Sequence, residues 1–211
     1  MKNITMKKVG AFFMFTVLMF GLYYVWYVHF NYRFDVITEE KVYKSGKIPP
    51  DQIADYLLKY KIKAVIDLRH PGVQDALNPE RQAGIDLERK AVEKLPGIRY
   101  VNIPSVQVPS KDNLEKFFEV MDESVSYPVL IHCYHGTGRA LLYSSIYRIE
   151  YERMPSEEAR QKTRFKLSGS SFGEGRPKGD FLIKYKGRKE GENSTLNTLN
   201  KNTYLAIPSD A

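Results

Sequence analysis

From Val9 to Val28 the chain carries no charge and is filled with Phe, Leu, Met, Val, Tyr and Trp, with no polar face at helical spacing. At about 1.5 Å per residue this run reaches the ~30 Å of a bilayer's hydrocarbon core, so the pattern predicts one transmembrane helix within residues 1–30. Tyr23, Tyr24, Trp26 and Tyr27 gather near one end, as an interfacial aromatic belt does. A cleaved signal peptide is the competing reading, because Lys2, Lys7 and Lys8 supply a basic start. The apolar stretch is long, however, and no small-x-small cleavage site follows it, which favours an uncleaved anchor.

Past the anchor the pattern changes to short apolar runs alternating with amphipathic ones. It predicts a strand near Val42, a helix from Pro49-Pro50-Asp51 through Tyr60, a strand at Ala64 and a charged helix from Glu80 to Leu95. A strand at Ile98, a helix at Leu114, a strand at Val129 and a helix at Leu141 follow, then a further helix from Pro155 to Lys166 packed beside the preceding one. Such alternation indicates an α/β sheet with helices on its faces. Ser168 to Gly179 is Gly- and Ser-rich and reads as a solvated loop, and Asp180-Phe-Leu-Ile-Lys-Tyr185 as a short ordered run. The expected organisation is an anchor at 1–30, one compact domain at 31–187 and a flexible polar tail at 188–211.

The net charge of +7 points to anionic partners: phosphorylated substrates, anionic headgroups or the membrane surface. Nucleic acid is a poor fit, since the basic residues are scattered and no nucleic-acid motif occurs. Three lysines flank the N-terminal end of the apolar run, whereas Arg33 is followed by the mixed Asp35, Glu39, Glu40 and Lys41. That bias predicts a cytoplasmic N-terminus with the domain on the other side of the membrane. A single cysteine in the whole chain suits either compartment, because it has no internal disulfide partner.

That cysteine carries the chemistry. Pro128-Val-Leu-Ile131 leads as a strand into His132-Cys-Tyr-His-Gly-Thr-Gly-Arg139, and Ala140 onward has helical composition. A Gly-rich turn between strand and helix points backbone N–H groups inward beneath a helix N-terminus, and such a cup holds an anion. The same donors favour a thiolate at its base, making Cys133 the candidate nucleophile. Arg139, closing the loop, can bind two phosphoryl oxygens bidentately. Tyr134, His135, Gly136, Thr137 and Gly138 complete the candidate phosphate loop, with Gly136 and Gly138 allowing the tight turn. His132 is a candidate supporting residue that orients the loop or hydrogen-bonds the thiolate. As an isolated residue Cys133 would read as a small buried hydrophobe, but the strand, glycines and helix around it favour the functional reading.

At these residues the chain resembles the protein tyrosine and dual-specificity phosphatase superfamily, whose signature is His-Cys, five residues, Arg. Val42-Tyr-Lys-Ser-Gly-Lys47, Ala64-Val-Ile-Asp-Leu-Arg69 and Ile98-Arg-Tyr-Val-Asn-Ile103 are similar to blocks of small bacterial dual-specificity-like phosphatases, so that the resemblance covers roughly residues 40 to 165. It implies a four- or five-stranded sheet flanked by helices, a phosphocysteine intermediate, and neither metal nor cofactor. With a bacterial host, the charge bias around the anchor places the protein in the inner membrane with the domain on the non-cytoplasmic side.

Two departures from that family pattern matter. The signature arginine is usually followed by Ser or Thr, whose hydroxyl assists breakdown of the phosphocysteine; here Ala140 follows, with Thr137 the nearest hydroxyl in sequence. The family's acid usually lies on a loop about thirty residues before the cysteine, yet Pro104-Ser-Val-Gln-Val-Pro109 has none. Three candidates remain: Asp112, otherwise a helix-cap or first-turn carboxylate; His135; and Asp67, otherwise a partner for Arg69. The reading is a membrane-anchored phosphomonoesterase acting by default on phosphotyrosine or other phosphoprotein. A phospholipid or phosphoinositide phosphatase and a phosphate-binding pseudophosphatase are its alternatives; oligomeric state is left open.

Overall fold

The computed structural model describes residues 2–72 and 80–188. Helix α1 (Lys2–His29) contains the stretch Lys8–His29, long and apolar enough to cross a membrane. Its rings project outward, Phe12 and Phe20 among them, so the helix is an apolar rod rather than a core element. Its C-terminal end is tied to the domain: Tyr27 Oη donates to Asp35, and Tyr56 Oη donates to Phe30 O at 3.1 Å.

Five strands follow: β1 (Asp35–Thr38), β2 (Val42–Ser45), β3 (Ala64–Asp67), β4 (Arg99–Asn102) and β5 (Val129–His132). They form one sheet in the order β1-β2-β5-β3-β4, antiparallel between β1 and β2 and parallel elsewhere. Helices α2 (Ile53–Lys59), α3 (Gln82–Glu93), α4 (Lys111–Met121), α5 (Arg139–Tyr151), α6 (Ser156–Gln161) and α7 (Pro177–Lys184) cover the two faces. The expected α/β architecture, five strands flanked by helices, is what the chain adopts.

Side-chain alternation divides the core. Val42, Ala64, Ile66, Val129 and Ile131 face Phe117, Met121, Leu142, Ile146 and Phe172, while Tyr43, Val65 and Leu130 face Ile53, Leu57 and Val92 on the other side. β5 is buried along its whole length between β2 and β3, which fixes its C-terminal end in the centre of the sheet.

Four stretches differ from the sequence pattern. β1 is a four-residue edge strand with a bulge and mixed exposure, too short and too weakly alternating to be visible in sequence. The helix expected from Pro49 begins at Ile53, because Pro49 O closes a turn with the N–H groups of Gln52 and Ile53. The helix expected to reach Lys166 ends at Gln161, though it does pack on α5, where Ser145 Oγ donates to Ala159 O. The Gly- and Ser-rich stretch is not a purely solvated loop: Phe172 is fully buried, and α7 opens at Pro177. A Cβ at Gly179 would collide with the carbonyls of Phe172 and Gly173, so that backbone packs directly on α7. Residues 189–211, most of the predicted tail, lie outside the described residues.

Phe117 is fully buried and packs edge-on against Tyr143 with ring centroids 5.1 Å apart. Phe117→Ala is expected to cost about 3–5 kcal/mol, measured by denaturant unfolding of the detergent-solubilised chain.

Candidate active site

The signature loop leaves the centre of the sheet at the end of β5 and enters α5 at Arg139. Cys133 is buried at its base, and its Sγ accepts a hydrogen bond from Gly136 N–H at 3.3 Å. Gly136 has φ +70°, and a Cβ there would press on Gly46 N and lie 2.6 Å from Ser45 C, so glycine is required on both counts. The loop is thereby pressed onto the end of β2, where Lys47 N–H donates to Tyr134 O at 3.0 Å. Two arginines hold its carbonyls: Arg33 donates to His135 O at 3.1 Å and Arg164 to Thr137 O at 2.6 Å. Thirteen residues of α5 stand behind the loop and aim their N-terminal dipole at it.

Arg139 is held on several sides. Its Nη1 donates to Leu68 O at 2.8 Å, Glu80 Oε2 at 2.9 Å and Ser105 O at 3.0 Å, and its Nη2 donates to Glu80 Oε1. Burial opposes the guanidinium's charge, but Glu80 and Cys133 outweigh it and raise its pKa. Ser105 is itself positioned by Tyr143, the two hydroxyls being 2.6 Å apart. Glu80 carried no sequence signal, since a carboxylate before a charged helix looks like a surface residue.

Lys178, in the first turn of α7, was also missed. It is buried, its Cε lies 3.5 Å from where a Gly138 Cβ would stand, and its Nζ donates to Gln107 on the 104–109 segment. Burial and Arg139 depress its pKa, against the pull of Cys133. A cation thus stands beside the cup, contributed by a segment that reads as loop.

His132 faces two acids. Residues adjacent in a strand point to opposite faces, and His132 turns to the α3 side, where Nε2 lies 2.8 Å from Glu88 and 3.6 Å from Asp67. The contact to Glu88 is close but not aligned as a hydrogen bond. Asp67, the third candidate acid, pairs with His132 in the sheet register and is fully buried. Its carboxylate accepts from Arg69 Nη2 at 2.7 Å and from Tyr100 Oη at 2.5 Å. Arg69 also bridges to Glu88 at 2.9 Å, so this acid and histidine cluster contains its own cation.

Asp112 lies exposed in the first turn of α4, where Ser110 caps the helix and Asn113 completes the capping box. His135 is exposed in the loop, edge-on to Tyr134. Asn113 also donates to Pro104 O at 3.0 Å, tying the 104–109 segment to α4. Ala140 is fully buried and offers no hydroxyl; Thr137 is partly exposed at the loop's far edge.

The buried cluster has a pH signature. Burial opposes charge on His132, but Glu88 and Asp67 prevail and raise its pKa; burial likewise opposes the Asp67 carboxylate, and His132 and Arg69 lower its pKa. A raised histidine pKa stabilises the fold fully below the unfolded value of about 6.5 and loses that contribution as pH rises through the folded value. The thermal midpoint of the wild type is therefore expected to fall, as pH rises above about 6.5, more steeply than that of His132→Gln, measured by circular dichroism across a buffer series.

Solved structures share this architecture. The core catalytic domain of the PP-IP phosphatase SIW14 from S. cerevisiae is 17% identical, with a TM-score of 0.53, over 78% of this chain and 92% of that one. A DUF442 protein of Shewanella putrefaciens CN-32 is 22% identical, with a TM-score of 0.51, over 71% and 87%. Tk-PTP in its active form is 20% identical, with a TM-score of 0.52, over 72% and 95%. At these identities the likeness concerns the fold. No curated protein sequence matches the chain. The family model described as DSP-PTPase phosphatase fused to NAD+ kinase matches residues 30–175, which include the whole His-Cys-x5-Arg loop, and the chain belongs to this family of cysteine-based dual-specificity and tyrosine-type phosphatases.

Proposed function

We propose that the chain is a membrane-anchored phosphomonoesterase that works through a phosphocysteine, with Cys133 as nucleophile and Arg139 as phosphoryl clamp. The observation that carries this reading is the thiol of Cys133 beneath the Gly136 N–H, in a loop that ends on an arginine already fixed by Glu80. Clamp and cup stand in place before the substrate arrives, which is how electrostatic stabilisation of a phosphoryl group acts without reorganisation.

In the first step the thiolate attacks phosphorus, an S–P bond forms, and the P–O bond to the leaving group breaks. The leaving oxygen takes a proton, for which Asp112 and His135 are the candidates. In the second step water attacks phosphorus, the S–P bond breaks, inorganic phosphate leaves and the thiolate returns. Ala140 supplies no hydroxyl for that second step, so breakdown of the phosphocysteine limits turnover in this reading, with Thr137 the loop's aliphatic hydroxyl.

Phosphotyrosine or another phosphoprotein is the default substrate. A second reading, a polyanionic phosphomonoester such as a phosphoinositide headgroup, is favoured by Lys178 beside the cup and by the apolar helix α1, which brings the loop near lipid. The lysines at the N-terminal end of α1 orient the domain to the non-cytoplasmic side of a bacterial inner membrane.

The test is hydrolysis of an aryl phosphate by the detergent-solubilised full chain in EDTA. Wild type is expected to turn over, Cys133→Ser to be inactive, and Arg139→Ala to lose about 10²–10³ in kcat. Lys178→Met is expected to raise KM about tenfold, the effect of losing one charge-assisted hydrogen bond. Turnover that survives Cys133→Ser overturns the proposal.

A further inference from the structure

A cavity of about 620 Å³ lies between the last turns of α1, strand β1 and the segment after α6. Tyr24 and Tyr27 of α1 wall it on one side, and Thr137 is the one residue of the signature loop that reaches it. Its lining is strongly cationic: Arg33, Lys44, Arg148, Lys162 and Arg164 face a single acid, Asp35. Lys44 is neutralised by Asp35, and Lys162 lies 3.8 Å from Glu158.

The three arginines have no such ion pair among the described residues. Arg33 donates to His135 O, Arg164 to Thr137 O, and Arg148 to Ile37 O at 3.5 Å. Among the described residues none of the three pairs with a carboxylate. A guanidinium carries five N–H donors, so most of this donor capacity is unused by the main chain. Burial lowers the pKa of Arg148 despite nearby Glu152, which marks its charge as incompletely satisfied. Three like charges around one cavity repel one another, and an oxyanion among them would relieve that repulsion and accept from the free fork edges.

We propose that this cavity is a second anion site, distinct from the Cys133 cup, and that it binds the phosphate of an anionic phospholipid headgroup. Any phosphate ester shares the required chemistry, but the wall formed by the tyrosine-rich end of α1 puts the cavity at headgroup level. Occupancy also bears on the loop. Arg33 and Arg164 hold the carbonyls on either side of Gly136, and an anion gripping their remaining N–H groups would lock both arginines and steady the cup.

The experiment uses the full chain in vesicles of phosphatidylcholine alone or with phosphatidylglycerol at about seven to three, followed by native mass spectrometry of the detergent-released protein. Wild type is expected to retain phosphatidylglycerol over phosphatidylcholine by about fivefold or more, the lower end of a specific coupling. Arg148→Gln and Val36→Glu should each erase that preference. Val36 is 46% exposed on β1, so the added carboxylate gives the arginines an internal anion and lowers the cavity's positive charge without removing a packed group. Hydrolysis of the aryl phosphate should rise by about fivefold in the anionic vesicles and stay at its basal rate in Arg148→Gln. If soluble glycerophosphoglycerol reproduces the effect in phosphatidylcholine vesicles, the site stands and its ligand is a free phosphate ester. Equal retention of the two lipids by wild type, or a preference that survives both variants, overturns the proposal. The binding arm needs no turnover, so it remains decisive even if the phosphatase reading fails.

Discussion

The pairing of Arg139 with Glu80 gathers the site. One guanidinium reaches Glu80, the end of β3 at Leu68 O and the 104–109 segment at Ser105 O, while its own backbone starts α5. Four separate stretches of chain therefore meet at one charged group. Glu80 and Arg139 are both largely buried, and breaking such a pair from one side strands a charge at a cost of about 3–5 kcal/mol. The constraint extends inward through Ser105 to Tyr143, whose hydroxyl is pushed up to about 12 by burial, against the lowering effect of Ser105, and stays a protonated donor or acceptor in the core. The clamp is thus part of the fold before it is part of any reaction.

The end of β5 divides its work between the two faces of the sheet. His132 turns toward α3 and joins Asp67, Arg69 and Glu88 in a buried network of two acids, one arginine and one imidazole. Cys133, one residue on, belongs to the opposite core beside Ala140 and Leu142. The network anchors the strand that delivers the thiol, and the histidine of the signature is built into it. Local strand geometry accounts for this: a residue and its successor cannot face the same side.

That point was legible in the sequence and shows where reading it stopped short. The apolar run, the alternation of strands and helices, and the compact Cys-to-Arg spacing are local patterns, and each corresponds to an element of the structure. The opposite facing of His132 and Cys133 follows from period two alone. By contrast Glu80 meets Arg139 from 59 residues away and Lys178 meets Gln107 from 71 residues away, and nothing in their own neighbourhoods marks them. Strand β1 is held by pairing with β2 and by Lys44, not by its own alternation. α7 is made by the burial of Leu182 and by close backbone approach at Gly179, so a glycine-rich composition concealed a packed helix.

In the proposed reaction phosphorus passes through Cys133 as a covalent intermediate. Its most direct test is a rapid acid quench of the full chain after mixing with excess aryl phosphate, followed by intact mass and peptide mapping. The account predicts one phosphoryl group per chain, on Cys133, accumulating because Ala140 leaves the second step unassisted, and absent from Cys133→Ser. A chain that releases phosphate with no adduct at Cys133 at any quench time, or that carries the phosphoryl group on another residue, would contradict it.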